Sequence, residues 1–329
     1  MKHLCWKGWV AAFLLAVPLV SQAASCTTQA ALLGLDRDAL AAAGGRLAQA
    51  VAQQDYATLQ AALLPAESAE WEGIRSVVEQ SAPLFQGGQV QLRNLFLLDS
   101  TSQSAAADTQ FFCSNATGSL TVTITMRSLP PGRYAVVLAD AAGAQMAGQM
   151  GFILAWQNGA AAGWRLGGLT VRQGTFDGHD GVWYWTRARE LAKLDYPWAT
   201  WYAYEAARYL LVPVSFLSSP NLEKLATEQG QIKNSPVDAF PYMLPDGPRT
   251  WKIDSVHLDP SLHYADLGIV FESTGVTDPA AQRTEAMAVM SAFLKAQPAL
   301  RENFHGLWAY AVKDGKTTPV MELPMGQIP

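Results

Sequence analysis

At 329 residues, with half of them hydrophobic and 16% charged, the chain has the composition of a well-buried globular protein and not of a disordered or fibrous one. Its formal charge of −5 and the lack of any basic run exclude nucleic acid and anionic membrane surfaces as expected partners. The length predicts more than one hydrophobic core.

The first residues read as an export signal. Lys2 and Lys7 make a positive start, Val10 to Val20 is an apolar run too short to span a bilayer, and Ser21-Gln22-Ala23 supplies small residues for cleavage. We therefore expect a signal peptide over residues 1–23 and an exported protein, periplasmic or secreted. Its removal takes away two lysines and no acid, moving the formal charge from −5 to −7. Cys5 leaves with it, so Cys26 and Cys113 remain. In an oxidising compartment an even pair predicts a disulfide. Cys26 also follows Ala23-Ala24-Ser25, a small-residue box of the kind that precedes a lipidated cysteine. Lipidation would anchor the chain to a membrane and would exclude the disulfide.

Asp36-Arg37-Asp38 supplies a cap and first-turn acids for a helix carrying Leu40, Leu47, Val51, Tyr56, Leu59 and Leu63, with Gly44-Gly45 as the expected kink or break. A second helix is expected over residues 69–85. From Val90 the period changes to two, and strands follow around Val90–Leu97, Gln110–Ser114, Leu120–Met126, Tyr134–Ala139, Met150–Trp156 and Gly163–Val171. Two helices followed by antiparallel strands predict an α+β unit over residues 24–173, the helices lying on a curved sheet.

Asp180 is placed to cap a helix over residues 181–194, Pro197 to open a second, and Ser219-Pro220 to open a third. The helix after Pro197 is apolar nearly all round, with Trp198, Trp201, Tyr202 and Tyr209 in one stripe and alanines in another, so it is expected between neighbours. Residues 174–229 thus read as a helical unit. The prolines at 236, 241, 245 and 248 make 230–249 an extended, turn-rich connector. Trp251–His257, Ala265–Glu272, a helix from Asp278, Leu307–Val312 and Pro319–Leu323 then predict a ββαββ unit over 250–329, with Lys313-Asp314-Gly315-Lys316 as a hairpin turn.

Gln54-Asp55-Tyr56 in the middle of the helical pair and Gly163-Trp164-Arg165-Leu166 in a late strand resemble the nuclear-transport-factor-like cone fold. That family holds enzymes, ligand binders and scaffolds, and its enzymes place His, Asp or Tyr inside the cone. No histidine lies between His3 and His179, which excludes a histidine pair in this unit. The alanines, tyrosine and closing proline of the second central helix resemble part of a tetratricopeptide helix pair, one unit at most, and the stacked repeats of a solenoid are missing.

Chemistry-bearing residues are few. Asp177, His179 and Asp180 crowd one glycine-flanked loop and read as a turn with a helix cap more than as a cation site, since no recognised metal-ligand spacing occurs. Trp183, Trp185 and Tyr204 are the aromatics of the central cluster expected to face outward, where Trp and Tyr suit stacking on sugars or on a partner's apolar side chains. His257 and Asp259 share a strand face with His263 and Asp266 beyond a turn, and read as polar edge residues with no nucleophile beside them. No Gly-x-Ser-x-Gly, His-Glu-x-x-His, phosphate loop or Cys-x-x-Cys occurs. Neither metal nor cofactor is implied. The expectation is a non-enzymatic exported module binding a protein or a small molecule such as a carbohydrate. The alternative is an enzyme with a pocket in the first α+β unit. A purely structural helical unit is the third reading.

Overall fold

The computed structural model describes residues 24–144, 146–159 and 162–329, so the signal-peptide expectation for 1–23 lies outside the described residues. The fold is α+β, as its alternating periods predict.

The chain begins with β1 (Ser25–Thr28), then α1 (Gly34–Gln53), α2 (Tyr56–Ala62) and α3 (Trp71–Ser81). Gly44-Gly45 does not split α1, which runs unbroken through both glycines. Gly44 is buried where the helix crosses the sheet, and a Cβ there would lie 2.7 Å from Val137. Close packing makes the glycine necessary inside a continuous helix. The break comes instead at Gln54, left-handed at φ 56°, followed by Asp55, whose carboxylate caps α2 through the Thr58 N–H. Asp36 lies in the first turn of α1 and not at its cap, and its carboxylate pairs with Arg133.

The strands β2 (Gln89–Asp99), β3 (Ala107–Ser114), β4 (Thr121–Leu129), β5 (Arg133–Ala142), β6 (Gly148–Gln157) and β7 (Gly163–Gln173) follow. They do not make one sheet. Five strands run in the order β1-β2-β5-β6-β7, while β4 pairs with β3 on one side and with a short β10 (Leu217–Ser218) on the other, as a separate sheet on the opposite face from α1–α3. Strand alternation explains the layering. Ala135, Val137 and Ala139 of β5 point into the helices with Leu95, while Val136 and Leu138 point into the second sheet with Phe96 and Leu98. An element buried on both faces reads as an unbroken apolar run, as β5 does. Cys26 of β1 and Cys113 of β3 form the predicted disulfide, with Cα atoms 5.1 Å apart, and so tie the two sheets together.

The two-residue strands β8 (Thr175–Phe176) and β9 (His179–Asp180) lead into α4 (Gly181–Lys193), α5 (Pro197–Leu211) and, past β10, α6 (Pro220–Gly230). Asp180 and Ser219 cap α4 and α6 as their positions predict. The connector then holds an unexpected strand, β11 (Tyr242–Asp246), which tolerates Pro245 because it is an edge. With β12 (Arg249–Asp259), β13 (Asp266–Glu272), α7 (Pro279–Ala296), β14 (Gly306–Lys313) and β15 (Lys316–Pro324) it makes a sheet in chain order, β13 and β14 being the parallel pair bridged by α7. The helix α5 and α7 share one core with this sheet, around Trp198, Tyr202, Phe293, Trp251, Ile269 and Phe271. Among the described residues no helix is long and apolar enough to cross a membrane.

Candidate functional site

The residues singled out in the sequence fall in two places. Asp177 and Gly178 both take positive φ, 49° and 77°, forming the tight turn between β8 and β9. Asp180 spends its carboxylate on the Trp183 N–H at 2.8 Å, and the His179 ring stacks on Trp183 with centroids 3.8 Å apart. Asp177, His179, Asp180 and Trp183 make one exposed corner, with Trp183 39% exposed.

Trp185 and Tyr204 belong elsewhere. The Trp185 Nε1–H donates to Glu228 at 2.8 Å, the Tyr204 hydroxyl donates at 3.2 Å, and Arg189 grips the same carboxylate through two hydrogen bonds of 2.8 Å while lying over the Trp185 ring. The Arg189 hydrogen bonds, helped by those from Trp185 and Tyr204, hold the Glu228 carboxyl down at about 2. Burial, then the Glu228 charge, push the Tyr204 phenol up to about 12. Tyr204 is buried, so its polar end is used to join α4, α5 and α6 and not to meet a ligand.

A separate opening lies beside α5. It is a cleft of about 590 Å³ between α5, the end of β7 and β12, with Arg172, Trp201, Glu205, Arg208, Tyr209 and His257 in its wall. Spacing on α5 puts Trp201, Glu205 and Arg208 at i, i+4 and i+7 on one face, while Tyr202 turns inward and donates its hydroxyl to the Val256 carbonyl at 3.1 Å. The strand β11 pairs with β12 only from Arg249 to Ile253, which leaves Val256–Asp259 as an edge at the cleft.

The charges in this wall are unequal. Arg208 pairs with Glu205 at 2.7 Å, and Glu205 also accepts from Gln229 at 2.6 Å. Burial lowers the half-exposed His257 imidazole below its ordinary value, against the pull of Asp259. Arg172 lies over the Tyr209 ring, 5.6 Å from its centroid, and has no carboxylate partner among the described residues. A second cleft of about 480 Å³, reaching Gln80 and His263, shares Arg172 and Tyr209. One uncompensated guanidinium on an aromatic shelf therefore stands between two openings. Sequence reasoning missed it because Arg172 lies next to the end of a strand in the first half while His257 lies on the last sheet. Trp201 and Arg208 on one helical face were the local signal.

Comparison with protein-family models, with characterised proteins and with solved structures finds no match. Neither the cone resemblance nor the tetratricopeptide one brings an activity to this chain.

Proposed function

We propose that this chain is an exported binding protein, not an enzyme, and that its ligand presents a carboxylate or phosphate group to Arg172 in the cleft beside α5. The observation that carries this reading is the guanidinium of Arg172, oriented over Tyr209 and lacking an acidic partner next to Trp201. A planar cation with two or more free donors suits a bidentate oxyanion, and Trp201 suits an apolar or sugar face next to it. Export is supported by the leader-like start and by the Cys26–Cys113 disulfide.

The alternative, an enzyme pocket in the first unit, draws no support from its interior. The space between α1–α3 and the sheet is filled by Leu40, Leu47, Val51, Leu59, Met150 and Phe152. A thermal-shift panel of acidic sugars and acidic peptides beside their neutral counterparts tests the proposal. Acidic members should raise the melting temperature of the parent protein and leave an Arg172→Ala variant unmoved. Equal shifts in parent and variant, or none at millimolar ligand, would overturn it.

A further inference from the structure

A group of polar side chains lies away from the cleft, where β13, β14 and β15 converge. Asp266 opens β13, His305 immediately precedes β14, and Glu322 is near the end of β15. Backbone bonds fix the meeting point, since the His305 N–H donates to the Ala265 carbonyl at 3.0 Å and the Met325 N–H to the His305 carbonyl at 2.8 Å. One ligand atom from each of the three side chains lies within 4.8 Å of the other two.

Several observations point at the space between them. Asp266 is fully buried, its Oδ1 lies 2.8 Å from His305 Nδ1, and its Oδ2 makes no hydrogen bond of ordinary geometry, although the carboxylate also draws on the buried Trp308 Nε1–H. Glu322 Oε1 is likewise shielded from solvent and unpartnered. Both carboxylates converge beside Gly306, where a Cβ would lie 2.7 Å from Glu322 Oε1 and 2.9 Å from Asp266 Oδ1. The neighbouring acid, Asp259, is already engaged by the Ser261 and Tyr310 hydroxyls and is not available. The His305 ring is held flat against Tyr264, with centroids 3.8 Å apart.

Two carboxylates withdrawn from water against one imidazole leave negative charge without full compensation, which is costly in a low-dielectric site. We propose that Asp266, His305 and Glu322 bind one divalent transition ion of the zinc class. The donor set decides the class: an imidazole nitrogen with carboxylate oxygens suits Zn²⁺, whereas Ca²⁺ and Mg²⁺ favour oxygen alone. Zinc at its usual bond lengths would hold the three atoms within roughly 4 Å of one another. Glu322, half-buried on a long side chain, is the ligand with freedom to close that gap. Such an ion would clip the start of β13 and β14 to the end of β15.

The purified chain, stripped with chelator and dialysed against Zn²⁺, should retain one equivalent by elemental analysis after gel filtration. Saturating Zn²⁺ should raise its melting temperature by several degrees. Glu322→Gln should weaken Zn²⁺ binding at least tenfold by calorimetric titration, and His305→Ala should abolish it. The metal-free Glu322→Gln protein should melt near the parent temperature, because the amide keeps the shape of the side chain and removes only the ligand. Retention of no zinc by the parent would overturn the site in favour of a proton shared between the two acids. Binding equal to the parent in both variants would place the ion elsewhere and overturn it as well.

Discussion

Glu228 is the residue on which the helical unit turns, because one carboxylate receives hydrogen bonds from three residues on α4 and α5. Its depressed pKa makes the sign of the pH dependence definite. A carboxylate whose folded pKa lies near 2, against an ordinary 4.5, adds stability that is fully present above about pH 5. That stability drains away as pH falls through 4.5 toward 2. Solvent at the partly exposed Arg189 screens the pairing, so we expect Glu228→Gln to cost about 1–2 kcal/mol at neutral pH. Thermal melts of parent and variant should be well separated at pH 7 and nearly coincide at pH 2.5. An undiminished gap at low pH would mean that the glutamine disturbs packing and not charge. The exposed corner gives the contrast. Trp183 meets the rings of His179 and Tyr184 at an exposed corner, and Trp183→Ala should change stability by less than about 1 kcal/mol.

At the level of elements, α5 carries two jobs on two faces, and the two tryptophans separate them. Trp198 is 7% exposed and packs against Phe240, Tyr242 and Phe293, so truncating it opens a cavity in the shared core. Trp198→Ala should cost on the order of 3–5 kcal/mol, read as a lowered midpoint in denaturant melts. Trp201→Ala should leave that midpoint nearly in place and remove ligand-induced shifts, because its ring lines the cleft. Equal destabilisation by both would favour a purely structural helix. The ends and periods of these elements were legible because local chemistry decides them: Asp180 and Ser219 cap, Pro197 opens, and Trp251, Ile253 and their polar neighbours alternate along β12. What failed was set by distant partners. Gly44 looks like a helix breaker until Val137 is known to lie against it, and Tyr242–Asp246 looks like loop until β12 supplies its pairs. The cleft and the Asp266–His305–Glu322 group were illegible for the same reason, since each draws residues from elements far apart in the chain. Trp185 and Tyr204 have the composition of a binding face, yet their polar atoms meet Glu228.

For the whole molecule, the decisive question is how the first sheet is joined to the last one, because the cleft lies at that joint. The disulfide does not cross it. Reduction of Cys26–Cys113 opens a cross-link spanning 87 residues within the first half, worth about 4–5 kcal/mol by loop closure, and should destabilise that half alone. The joint is keyed instead by Gln173, which ends β7 and is 2% exposed. Its Nε2 donates to the Thr175 carbonyl and, at 2.6 Å, to the His263 carbonyl, while its Oε1 lies 3.1 Å from His263 Nδ1. An amide oxygen only accepts, so that nitrogen carries the proton. Gln149 of the adjacent strand adds a bond of 2.7 Å to the Leu210 carbonyl at the end of α5. Gln173→Ala would leave the His263 carbonyl and imidazole without these partners, at about 1–3 kcal/mol for each group stranded from water. Because the lost bonds span the joint, the expected calorimetric signature is a loss of coupling: one transition in the parent resolving into two in the variant. Adding reductant should then move only the transition of the half that contains the disulfide. A variant that still melts once, at the parent temperature, would show that the apolar packing of α5 holds the joint without Gln173. In that case Arg172 would keep its place over Tyr209, and binding at the cleft would survive the substitution.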